Sequence, residues 1–200
     1  QYHLLLGKIT LDYLFSLGKI DKIVAYGEYY STIYWSFLYF ITEIFPTKYQ
    51  TQVNHLINLI FSLSVIFGIG KVGGELFNKK VGKVIFIILF FYPIFFGHMS
   101  INSKDTILAF SHVWMVYLIL RYLRKQNIKK KANKYVISLG LLAALSTGIQ
   151  LAFLGSQIPI IFFVLIEIFY IKKIIIKNFS KKVFLYDLIK CFLIFYSILI

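Results

Sequence analysis

Five long apolar runs alternate with short connections, and the connections carry the positive charge unevenly. Three of them, at 78–83, 121–134 and 172–182, hold 3, 7 and 5 of the 22 lysines and arginines. The two between them, 98–105 and 155–157, hold one (Lys104) and none. Lysine and arginine collect on the cytoplasmic side of membrane helices, so this alternation predicts a polytopic bundle with its basic loops facing the cytoplasm. Hydrophobic residues make up 59% of the chain, against about 45–50% in an ordinary soluble domain. The formal net charge of +14 would point to nucleic acid in a soluble chain. Here the cations punctuate apolar runs, so the predicted partner is the lipid bilayer and not nucleic acid.

The expected fold class is all-α, a transmembrane helical bundle preceded by interfacial helices. The spans are expected at about 50–77, 81–97, 105–123, 135–154, 158–171 and 184–200, the last of them cut short. Residues 1–49 are mixed in character and form a first outer-face loop. Apolar positions from Leu4 to Leu17 recur near a 3.6-residue period, with Lys8 and Asp12 between them, and predict an amphipathic helix. The run 32–45 is apolar but short of a membrane thickness, and predicts a second interfacial or re-entrant helix closed by Pro46. The chain opens without methionine and ends on a short apolar run, which predicts a fragment of a larger protein.

The polar groups concentrate at one seam. His98-Met-Ser-Ile-Asn102-Ser-Lys104-Asp105 separates two membrane-length segments. Polar groups there are costly unless they meet water, a substrate or each other. One reading is a turn, with Asn102 or Ser103 capping the next helix and Asp105 favoured by its dipole. The other is a small site. There, Asp105 takes a proton or orients a hydroxyl, Lys104 meets a phosphate, and His98 and Asn102 bond sugar or phosphate oxygens.

Other polar residues carry similar pairs of readings. His55 and Asn58 share a helix face near the outer end of the first span, as interhelical glue or as a wall of the same site. Ser146-Thr147-Gly148-Ile-Gln150 is either a helix bend or a lining on that face. His112 reads as a packing histidine. Gly68, Gly70, Gly73 and Gly74 read as close helix packing and not as a nucleotide loop, because no strand precedes them. Glu167 is expected to pair with Lys172 and Lys173. The four histidines lack ligand spacing and the single cysteine, Cys191, allows no disulfide, so no metal or cofactor is expected.

Three stretches together resemble a known family. They are Asn54-His55-Leu-Ile-Asn58, then Gly70 through Gly73-Gly74 to Phe77-Asn-Lys-Lys-Val-Gly82, then Phe95-Phe-Gly97-His98-Met-Ser-Ile-Asn102-Ser-Lys104-Asp105. They look like the membrane glycosyltransferases of the GT-C superfamily, in the branch of dolichyl-phosphate-mannose protein mannosyltransferases and aminoarabinose and lipopolysaccharide-core sugar transferases. The likeness covers most of residues 1–160. Asn54 stands where relatives carry Arg, Ser103 where they carry Pro, and Gly148 where they carry Arg.

The resemblance implies transfer of a sugar from a polyprenyl-phosphate donor to a hydroxyl of a lipid, glycan or protein acceptor. The reaction takes place on the outer face of a bacterial cytoplasmic membrane. It implies a catalytic role for Asp105 and substrate contacts from Lys104, His98, Asn102, His55 and His3. Gln1-Tyr2-His3 looks like the tail of an Asp-Glu-x-x-His motif, whose acids would fall just before residue 1. The rival functions are a transporter or flippase of lipid-linked sugars, which predicts inverted repeats, and a non-catalytic membrane subunit.

Overall fold

The structure is a computed structural model that describes residues 2–17, 33–98, 103–176 and 179–199. Among them there is no strand. Two helices come first, α1 (Tyr2–Phe15) and α2 (Ile33–Glu43). A single 3-10 turn, Thr47–Tyr49, leads from Pro46 into α3 (Gln50–Leu76). Then come α4 (Lys79–Phe90), α5 (Pro93–His98), α6 (Ser103–Lys125) and α7 (Lys129–Ile149). The short α8 (Ala152–Ser156) precedes α9 (Ile158–Ile166), which runs into a π-helical turn at Glu167–Ile171. The last helix is α10 (Lys181–Leu199).

Among the described residues, four helical stretches are long and apolar enough to cross a membrane: Thr47–Leu76, Asp105–Lys125, Lys129–Ile149 and Ala152–Ile171. Two expected spans, 81–97 and 184–200, are not among these four. The segment 81–97 is interrupted at Phe91-Tyr92, because Pro93 has no N–H to give and pushes its predecessor out of the helical region. The 12 residues of α4 reach about 18 Å, well under a ~30 Å hydrocarbon core. The segment 184–200 does form a helix, α10, of 19 residues. Lys182, Asp187 and Lys190 interrupt its apolar run, and it is not among the four. Helices do form at 4–17 and 32–45, as α1 and α2, but the apolar residues of α1 are spread round the helix and not gathered on one face as an amphipathic helix requires.

The packed helices follow one another in the order α4, α3, α6, α7, α10, so that α3 packs on α6 and α7 on α10 across intervening helices, while α1 packs on α2. Small residues set the separations. Gly82 of α4 faces α3 so closely that an added Cβ would lie 2.8 Å from the Gly74 nitrogen and 3.0 Å from its Cα. A Cβ on Gly140 would meet Ile194 at 2.9 Å and the Cys191 carbonyl at 3.0 Å, fixing α7 against α10. Gly68 faces Val113 and Trp114 of α6. Gly68, Gly70 and Gly73 of α3 are therefore packing residues, as their apolar setting predicts, while Gly74 faces open space. Between α3 and α6 the aromatic rings interleave: Phe61 meets Phe110 edge-on at 5.1 Å, and Trp114 lies 6.4 Å from Phe67. The Trp114 indole N–H donates to Ser64 Oγ at 3.1 Å.

Polar side chains tie the lysine-rich end together. Asn78 caps α4, its Oδ1 accepting from the backbone N–H of Lys80 and Val81 at 3.0 Å each. Arg121 and Arg124 each donate to one oxygen of Glu75, at 2.7 and 2.9 Å, which joins α6 to α3. The Tyr122 hydroxyl donates to Asp187 at 2.7 Å, and Gln126 brackets Ser180 by accepting from its N–H and donating to its carbonyl.

Glu167 departs from its expected lysine pairing. It is 1% exposed, and its carboxylate accepts from the backbone N–H of Ile174 and of Ile175. The π-helical turn and the left-handed Lys172 (φ 53°) swing the chain round so that these amides point back at the acid. Glu167→Ala should cost about 1–2 kcal/mol by removing the acceptor of two part-buried backbone donors, read as a lower thermal midpoint of the purified chain. Glu167→Gln, which keeps an acceptor oxygen, should recover part of that loss.

Candidate functional site

Ile107 draws the seam into a defined place. It sits one turn into α6, 4% exposed, and packs in a cluster with Tyr34, Trp35 and Leu38 of α2 and Ile149 at the end of α7. Ile57 and Phe61 of α3 close the cluster. Helical spacing does the rest. Asp105 precedes Ile107 by two residues, Asn58 follows Ile57, and Thr147 precedes Ile149 by two. The starts of α3 and α6 and the end of α7 thus share one end of the bundle, with α2 laid over them. Three separate stretches of the sequence, 54–58, 103–105 and 145–150, converge there.

Asp105 lies in the first turn of α6 and is exposed, where the helix dipole favours a negative charge. His55 is exposed on α3. His98 closes α5, Lys104 is the second residue of α6, and His3 lies on α1. The side chains of these three lie outside the described residues, as does the whole of Asn102.

A buried polar layer lies beneath. Asn58 is 1% exposed, and neither its amide nitrogen nor its oxygen has a partner. The Tyr34 hydroxyl, Asn54 Oδ1 and Thr147 Oγ1 are also buried without partners. Burial pushes the Tyr34 phenol above its ordinary pKa, so it stays a neutral donor. Orphaned buried polar atoms are uncommon in native proteins because each carries an unreturned desolvation cost. Five such atoms, on four residues of α2, α3 and α7, surround one apolar cluster, a concentration that packing alone leaves unexplained. The sequence singles out Asn54, Asn58 and Thr147 but not Tyr34, which looks like one aromatic among many. Asn58→Leu should raise the thermal midpoint, since it removes an unsatisfied amide, while lowering any activity of the site. A protein both more stable and fully active would make Asn58 a packing residue.

Ser156 and His112 resemble a nucleophile and its base, with Ser156 Oγ 3.1 Å from His112 Nε2. Their protons run the wrong way. The Gln157 amide N–H donates to His112 Nδ1 at 3.0 Å, so the ring proton sits on Nε2 and is given to Ser156. The serine hydroxyl in turn donates to the Phe153 carbonyl. His112 is a satisfied packing histidine that fastens the 155–157 tip to α6. Among the described residues no group of three or more His, Cys, Asp or Glu is placed to hold a metal ion.

In comparisons with known proteins, no family model, no curated protein and no solved structure matches the chain. The likeness to membrane glycosyltransferases therefore stands on the motif residues themselves.

Proposed function

We propose that the chain is part of a multi-pass membrane glycosyltransferase of the GT-C type. It would work at the outer face of a bacterial cytoplasmic membrane and move a sugar from a polyprenyl phosphate to an acceptor hydroxyl. The observation that carries this reading is the convergence of stretches 54–58, 103–105 and 145–150 at one end of the bundle, the end away from the lysine-dense loops. Two further features support it. None of the nine residues of α9 is buried, and Leu56 and Ile60 of α3 are 55% and 58% exposed, a surface suited to lipid and not to water. The 22 lysines and arginines favour one face.

In this reading the acceptor oxygen attacks the anomeric carbon, and the bond from that carbon to the phosphate oxygen breaks. Its electron pair leaves on the lipid phosphate, and the hydroxyl proton passes to a carboxylate. Asp105 orients the hydroxyl, and Lys104 stabilises the departing phosphate near the positive end of the α6 dipole. His3, His55, His98 and Asn102 line the site. The test is transfer of labelled sugar from a polyprenyl phosphate by membranes carrying the full gene product. Asp105→Asn and Lys104→Ala should abolish transfer and leave membrane insertion intact. Wild-type turnover in both would remove the assignment.

A further inference from the structure

A cavity of about 780 Å3 opens at the opposite end, between α3, α4 and α6. Its walls are of two kinds. Lys71, Lys79, Lys83 and Arg121 face it with a single carboxylate, Glu75, and both oxygens of that carboxylate are taken by Arg121 and Arg124. Lys71 sits over the Phe67 ring at 5.0 Å. Lys79 and Lys83 form no ion pair with any described residue. The remaining walls are apolar and open outward: Phe67 is 49% exposed and Ile87 53%. The floor is made by glycines. Gly74 borders the cavity, and a Cβ built there meets nothing within 4 Å.

Unpaired lysines beside an apolar groove suit a ligand with an anionic head and a hydrocarbon tail. We propose that this cavity binds an anionic phospholipid from the leaflet on the lysine-rich side. Its phosphate meets Lys79 and Lys83, and its acyl chain lies along the Phe67 and Ile87 wall. A basic pocket between membrane helices on that side holds anionic headgroups by charge, while the apolar wall rejects a free phosphate. The proposal is independent of sugar transfer.

The test uses the purified chain in a neutral detergent, with phosphatidylglycerol, phosphatidylcholine or glycerol phosphate added and the thermal midpoint followed. Phosphatidylglycerol should raise the midpoint, and the other two should not. Lys79→Gln with Lys83→Gln should weaken the response about tenfold or more. Gly74→Leu should weaken it by narrowing the cavity floor while leaving the lipid-free midpoint at or above wild type, because Gly is a poor helix former. Lys182→Gln with Lys190→Gln, which removes cations from a separate cavity between α7 and α10, should have no effect. The proposal is overturned by an equal response to phosphatidylcholine or to glycerol phosphate. It is also overturned by wild-type affinity in the Lys79/Lys83 or Gly74 variant, or by an equal loss in the Lys182/Lys190 control.

Discussion

Gly82→Leu will separate α4 from α3 and leave a chain that inserts but unfolds at a much lower temperature. Even the first carbon of the new side chain would lie 2.8 Å from the Gly74 nitrogen and 3.0 Å from its Cα, and closer still to the Gly70 carbonyl. All three are backbone atoms of a 27-residue helix, so no rotamer change can relieve the clash. Overpacking a well-filled contact costs about 1–3 kcal/mol, and a clash against backbone lies at or beyond the top of that range. Gly82→Ala should already be harmful and Gly82→Leu worse, read from thermal midpoints in detergent. Gly74→Leu, four residues from Gly70 on the same helix but facing open space, is the matched control. Equal midpoints for Gly82→Leu and wild type would mean that α4 does not pack this way.

Asp105→Asn should lower sugar transfer at least about 100-fold, the scale on which one positioned polar group acts on developing charge. The protein itself should be barely disturbed. Asp105 is exposed, and the anchors of its helix are the next residues, Thr106 (7% exposed) and Ile107 (4%). The amide retains the shape and loses the charge, so insertion and the thermal midpoint should hold within about 3 °C. Asp105→Glu should retain more transfer than Asp105→Asn if the charge matters, and less if reach matters more. A large loss of stability in Asp105→Asn would place this residue in the scaffold.

The helices were legible because their signals are local. Lysine-dense turns and apolar runs predict α3 and α6 to within two residues of their ends, whereas α7, expected at 135–154, starts and stops earlier, at Lys129 and Ile149, because the lysine run read as a loop is its first turn. The break before Pro93 was also written in the chain, but hydrophobicity spoke louder than the proline within 81–97. In α10 the apolar run hid Asp187 and Lys190, whose partners, Tyr122 and Asn133, come from other helices. Contacts of that kind have no sequence signal. The same holds for Glu75 with Arg121 and Arg124, separated by 46 and 49 residues. Glu167 looked like a surface acid because lysines followed it, whereas backbone curvature turned it inward. At the candidate site the individual motifs were visible, but their meeting was not. Only the packing of Ile107 against Tyr34 and Ile149 brings stretches 54–58, 103–105 and 145–150 to one place.

The whole functional account rests on which side of the membrane that place occupies. A Ser103→Cys protein, made on a Cys191→Ser background so that the engineered thiol stands alone, should react in intact cells with a membrane-impermeant maleimide. A matching cysteine at Asn127, in the lysine-rich connection, should react only after the membrane is opened. Labelling of Ser103→Cys restricted to opened cells would turn the bundle over and contradict the proposed sugar transfer at the outer face.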